Sequence, residues 1–104
     1  MVNAFKTYAG YTGIPGFDYT QGWLAADLMI KGLQLAGQNP TRQAFITNLS
    51  KVTNYDANGL LASPVNYAAF GQVPTTQCLY FPQLVGSQFV TKSAKPICGT
   101  LIHS

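Results

Sequence analysis

The sequence contains no glutamate, and its only acidic residues are Asp18, Asp27 and Asp56. Charged residues occupy 9% of its 104 positions, against about 25% in an average globular domain. Histidine occurs once, at His103, and cysteine twice, at Cys78 and Cys98, with no CxxC spacing. A zinc site needs four Cys or His ligands in close groups, so none can be assembled here. The most apolar stretch, residues 23–35, is interrupted by Asp27 and Lys31. It falls well short of the roughly 20 apolar residues a membrane span requires. The opening Met1-Val2-Asn3-Ala4-Phe5-Lys6 has no apolar signal-peptide core, so an exported protein would have lost its targeting signal or carry it upstream. Aromatic residues reach 12%, which excludes the charge-rich, aromatic-poor composition of a disordered chain. A small globular piece with little surface charge remains.

The formal charge is +3, but its sources are dispersed. Lys6, Lys31, Arg42, Lys51, Lys92 and Lys95 form no cluster except the last two. A nucleic-acid footprint concentrates basic residues on one face, so no nucleic-acid partner is expected. Pairing Cys78 with Cys98 would close a loop of about 20 residues and contribute about 3 kcal/mol in the chain-entropy description. That pairing implies an oxidising compartment. The alternative is two buried free thiols.

Residues 1–17 combine Tyr, Thr, Gly and Pro and read as a loop, preceded by a short helix over residues 3–8. Asp18 followed by Gln21 forms a capping-box pattern, which predicts a helix over residues 19–36 ended by Gly37. Asp27, Lys31, Gln34 and Gln38 make a narrow polar stripe, and the rest of this helix is apolar. Such a helix is covered on several sides. Asn39-Pro40 predicts the start of a second helix. Phe45, Ile46, Leu49 and Val52 lie on one face of it, and it should end near residue 51 or 52. Asp56-Ala57-Asn58-Gly59 is a turn signal. Residues 59–62 and 64–67 read as short extended pieces, and residues 71–76 as a loop. Residues 77–85 read as a strand bulged at Pro82. Gly86-Ser87 is a two-residue hairpin turn into residues 88–91, and the disulfide would tie the tail to the first hairpin strand.

Little of this supports catalysis, which most often employs histidine or paired carboxylates. Asp18 is accounted for as a cap, Asp27 as a partner of Lys31 four residues on, and Asp56 as a turn residue. Gly10, Gly13 and Gly16 recur every three residues, but Pro15 intervenes and no Lys-Ser/Thr follows, so they form no phosphate loop. No cofactor is implied. The aromatic group Tyr8, Tyr11, Phe17, Tyr19 and Trp23 is more informative. It belongs either to a core or to the lining of a binding cleft, where flat apolar faces supply contact area.

The order of features resembles a known family. Pro15-Gly16-Phe17-Asp18-Tyr19-Thr20-Gln21-Gly22-Trp23-Leu24-Ala25-Ala26-Asp27-Leu28 leads into Gly32-Leu33-Gln34-Leu35-Ala36-Gly37. Asn39-Pro40-Thr41-Arg42-Gln43-Ala44-Phe45 and Tyr55-Asp56-Ala57-Asn58-Gly59-Leu60-Leu61 follow, and the chain closes with Gln83-Leu84-Val85-Gly86-Ser87-Gln88-Phe89-Val90. Together these are similar to the C-terminal part of class I periplasmic binding proteins, the branched-chain amino-acid type of ABC-transporter solute receptor. Val85 and Ser87 depart from the Asp-Gly context of the family's hairpin, and Asn58 replaces its first glycine. The Cys78 and Cys98-Gly99 pair is similar to one found in some members.

The resemblance implies an α/β fold, with residues 1–104 as one fragment of a two-lobed receptor: two helices, then short strands and a hairpin. It implies a periplasmic or extracellular protein, lipid-anchored or free, that captures a small ligand and passes it to ABC-transporter membrane subunits. The ligand would be amino acid-like or an aromatic or apolar carboxylate. Phe17 matches a cleft-edge position where the family places an aromatic ring on the ligand, and Tyr19 would support it. The rest of the cleft would come from other sequence. The fragment alone would then bind weakly and, with its apolar helix uncovered, self-associate. The competing expectations are a small secreted disulfide-linked interaction domain without a small ligand, and a hydrolase fragment.

Overall fold

A short helix does form at the start of the chain. In the computed structural model, which describes residues 1–72, 76–100 and 102, α1 covers Val2–Ala9. Gly10 ends it with φ 62°, and the N–H groups of Gly10 and Tyr11 both donate to the Phe5 carbonyl. Left-handed backbone at a helix end is favourable for glycine, which has no Cβ to clash. The chain divides into two compact units, Met1–Leu49 and Ser50–Ser104.

The second helix of the first unit, α2, spans Phe17–Ala36, starting two residues before the predicted position. Gly16 is its N-cap and no side chain caps it, so the Asp18–Gln21 capping box does not form. The Thr20 N–H and hydroxyl both donate to the Gly16 carbonyl, at 3.1 and 3.0 Å. These bonds close the first turn ahead of Asp18 and place the carboxylate inside it. There it still favours the positive end of the helix dipole. Gly37 stops α2 as predicted, with φ 85° and its N–H on the Gln34 carbonyl.

Helix α3 covers Arg42–Leu49. The predicted Asn39 cap is displaced by Thr41, whose Oγ1 accepts from the Ala44 N–H at 3.1 Å. Pro40 therefore lies outside the helix, and so does Val52. Helices α2 and α3 pack together through buried Gly32. A Cβ at that position would overlap the Phe45 ring, with Cδ2 at 2.9 Å. Asn48 Nδ2 donates to the Leu35 carbonyl at 2.9 Å, satisfying one of the acceptors left open at the C-terminal end of α2.

In the second unit, the Asn58 N–H donates to Asp56 Oδ1 at 3.0 Å. Ala57, Asn58 and Gly59 take φ 52°, 56° and 79° in succession. This run turns the Leu60 and Leu61 N–H groups back onto the Ala57 and Asp56 carbonyls. Those groups cannot enter a ladder, so the strand predicted over residues 59–62 is absent and the segment is turn and bend. The extended piece over residues 64–67 reduces to one bridge, Tyr55 with Val65. A 3-10 turn over Tyr67–Ala69 follows, capped by Asn66 Oδ1. Tyr55 and Ala57 are the only buried hydrophobic side chains among the described residues, at 8% and 7% exposure.

The Tyr55 ring lies 5.8 Å from that of Tyr67, and burial raises the Tyr67 phenol above its usual 10.0. The folded chain then keeps a proton that the unfolded chain has already lost. Stability contributed by this phenol is present below pH 10 and declines as pH rises through its folded value. Urea denaturation across this alkaline range should show a steeper loss for the parent than for Tyr67→Phe. Equal slopes would show that the phenol does not feel the fold.

The strand predicted over residues 77–85 divides in two. Thr76–Leu79 forms β1 and Pro82–Val85 forms β2, in separate two-stranded sheets. Pro82 has no N–H for a ladder, and it stands at the first position of a strand, where this is tolerated. Strand β2 pairs with β3, Gln88–Thr91, through the predicted Gly86-Ser87 turn, with Val85 opposite Gln88. Strand β1 pairs antiparallel with β4, Ile97–Thr100. Cys78 and Cys98 are direct partners in that register, with Cα atoms 4.0 Å apart, and are joined as a disulfide. The bond thus ties the tail to β1 and not to a hairpin strand. In the predicted loop over residues 71–76, Gly71 and Gln72 form a turn and Thr76 opens β1. Residues 73–75, and His103, lie outside the described residues.

Candidate functional site

The rings of the first unit converge on a residue that the sequence reading did not single out. Phe5 on α1 meets Tyr11 and Tyr19 edge-on, at 6.4 and 5.8 Å between centroids, and Trp23 at 5.8 Å with a 45° tilt. Tyr11 and Tyr19 lie 5.2 Å apart. These separations suit aromatic pairs, each contributing about 0.5–1.5 kcal/mol beyond the area buried. The two hydrogen bonds that the Gly10 and Tyr11 N–H groups donate to the Phe5 carbonyl fold the loop back on α1 and bring Tyr11 to the cluster. A sequence signal for Phe5 existed: Met1, Ala4 and Phe5 keep helical i, i+3, i+4 spacing, and all three are half-buried.

Two members of the expected aromatic group stand apart. Tyr8 is 89% exposed, and Phe17, the first residue of α2, is 76% exposed. Neither joins the ring cluster. Tyr19 links the two settings, since its ring touches Phe5 and Tyr11 while remaining 52% exposed. The structure therefore presents Phe17 as an uncovered ring two residues from Tyr19, whose ring is held from behind. The arrangement offers flat apolar contact and phenol hydroxyls, with the Asp18 carboxylate between them in sequence.

The second unit has an open groove of about 350 Å³ lined by residues that include Gln77, Leu79, Phe81, Ile97 and Cys98. Its walls are mostly exposed strand residues, so it does not enclose a ligand. Among the described residues no group of three His, Cys, Asp or Glu could hold a metal ion. No helix among them is long and apolar enough to cross a membrane.

Residues 1–88 match the family described as Periplasmic binding protein. The chain belongs to the periplasmic binding protein family. The match spans both helices of the resemblance, the Asp56 turn and the first part of the β2–β3 hairpin. The mixture of helices and short antiparallel strands is compatible with a piece of a periplasmic binding protein fold. Membership suggests a solute-binding role outside the cytoplasm. No curated protein and no solved structure matches the chain.

Proposed function

We propose that this chain is the C-terminal part of a two-lobed extracytoplasmic receptor of the branched-chain amino-acid type. It binds a small amino acid or an aromatic or apolar carboxylate between its lobes and delivers it to the membrane subunits of an ABC importer. Its action is binding and closure, a shift between open and closed populations, without covalent chemistry. Phe17 lays its ring on the ligand, and Tyr19, braced by Phe5 and Tyr11, supports it. The observation that carries this reading is the exposed Phe17 ring beside a fixed aromatic cluster, in a chain matching the family over residues 1–88.

The extent of exposed surface supports the placement within a larger protein. The chain exposes 8384 Å², whereas two separate compact bodies of half its mass would expose about 6,900 Å² in all. On α2 the exposed side chains include Met29, Ile30 and Leu33, residues that a complete lobe would cover.

The test is calorimetric titration of the full-length receptor with amino acids and aromatic carboxylates. Phe17→Ala should weaken binding about tenfold, the loss expected when part of an aromatic contact area is withdrawn from a ligand. Phe70→Ala, which removes another highly exposed ring, should leave affinity unchanged. Unchanged affinity in Phe17→Ala for every bound compound would remove Phe17 from the site. Absence of binding to the whole panel by the parent would overturn the ligand class.

A further inference from the structure

We propose that Asn58 is a spontaneous modification site, at which the side-chain amide closes on the Gly59 nitrogen and reopens with water to aspartate and isoaspartate. In the first step the Gly59 nitrogen gives up its proton and attacks Asn58 Cγ. The bond from Cγ to the amide nitrogen breaks and ammonia leaves, forming a five-membered cyclic imide. Water then adds to one of the two imide carbonyls. Cleavage at the side-chain carbonyl restores a normal backbone with aspartate, and cleavage at the main-chain carbonyl routes the backbone through the side chain as isoaspartate. No oxidant or reductant is needed.

The structure separates Asn58 from the other five asparagines by the state of the following nitrogen. Asn3 precedes Ala4, whose N–H is bound to the Met1 carbonyl. Asn39 precedes Pro40, which has no N–H. Asn48 lies within α3, and its amide is already engaged on Leu35. Asn54 precedes Tyr55, bound to the Val65 carbonyl, and Asn66 precedes Tyr67, bound to the Val52 carbonyl. Gly59 differs from all of these. Among the described residues its N–H donates to no backbone carbonyl, although Leu60 and Leu61 on its C-terminal side both do. Asn58 is exposed, and its backbone N–H donates to Asp56 Oδ1. A Cβ built on Gly59 would meet nothing within 4 Å, so the attacking nitrogen is uncrowded.

The consequence reaches the turn itself. Isoaspartate adds a carbon to the main chain between positions 58 and 59, inside the loop closed by the Leu61 bond to Asp56. Either product lowers the formal charge of +3 by one.

Incubation of the folded chain at mildly alkaline pH, followed by peptide mass mapping and an isoaspartate-specific methylation assay, tests the proposal. Asn58 should convert roughly tenfold or more faster than Asn54 or Asn66, because glycine places no Cβ beside the attacking nitrogen. The rate should stay within several-fold of that in the urea-unfolded chain. Asn58→Gln, which would have to close a six-membered ring, should lose the signal. A folded chain that stays intact while the unfolded chain converts at Asn58, or equal conversion at Asn54 and Asn66, would overturn it.

Discussion

Replacing Cys78 and Cys98 together by serine lowers the unfolding free energy of the second unit by about 3 kcal/mol, the loop-closure value for a separation near 20 residues. The local effect should be larger than that figure suggests. Strands β1 and β4 share a ladder of four residue pairs, and the described side chains of β4 are all exposed. Two-stranded pairs without a buried face are marginal in water, so the covalent bond is the main restraint on β4. Hydrogen exchange in the serine variant, or after reduction of the parent, should show loss of protection at residues 77–79 and 97–99. Helix α2 should keep its protection. Retained protection across β1 and β4 would show that the ladder stands without the bond. The double substitution is the informative one, because either single change leaves a reactive thiol that can pair between molecules.

The second large effect concerns a glycine inside a helix. Alanine at a helix interior is ordinarily better than glycine by about 1 kcal/mol, so Gly32→Ala would stabilise an isolated α2. Here the added methyl would enter the Phe45 ring. Overpacking of this kind costs about 1–3 kcal/mol. Phe45 is half-buried, and three atoms of its ring would lie within 2.9 Å of the added methyl, so the overlap outweighs the propensity gain. Gly32→Ala should therefore destabilise the chain. In a Phe45→Ala background the same change should stabilise it by about 1 kcal/mol. Urea titration followed by fluorescence of Trp23, the single tryptophan, reads both arms. The same sign in the two backgrounds would show that Gly32 and Phe45 are not coupled.

Features governed by local chemistry were legible before the structure. Gly37 ends α2 because the chain there needs positive φ, and Gly86-Ser87 makes a hairpin for the same reason. Asp56 caps its turn through its own side chain. The errors came where two local solutions competed. Asp18 and Asn39 both carry good capping groups, but Gly16 and Thr41 begin the helices because bonds from Thr20 and to Thr41 fix the first turns. Apolar and aromatic density made residues 77–85 look continuous, yet pairing partners decide where a strand ends. Residues 76–79 and 82–85 pair with different segments. At the candidate site, the spacing of residues could gather the aromatics into one list but could not rank them. Phe5 became the centre only through the chain reversal at Gly10, while Tyr8 faced away on the same short helix.

The order of the sheet strands has a consequence for how this protein can be cut. Strands β2 and β3 lie within the segment between Cys78 and Cys98, so the hairpin sits inside a covalent ring. A protease that nicks the exposed Gly86-Ser87 tip opens the ring once and releases nothing. Both halves remain one molecule on a non-reducing gel and separate only when a thiol is added. For the hairpin, main-chain cleavage and loss of mass are therefore two distinct events, with the disulfide standing between them.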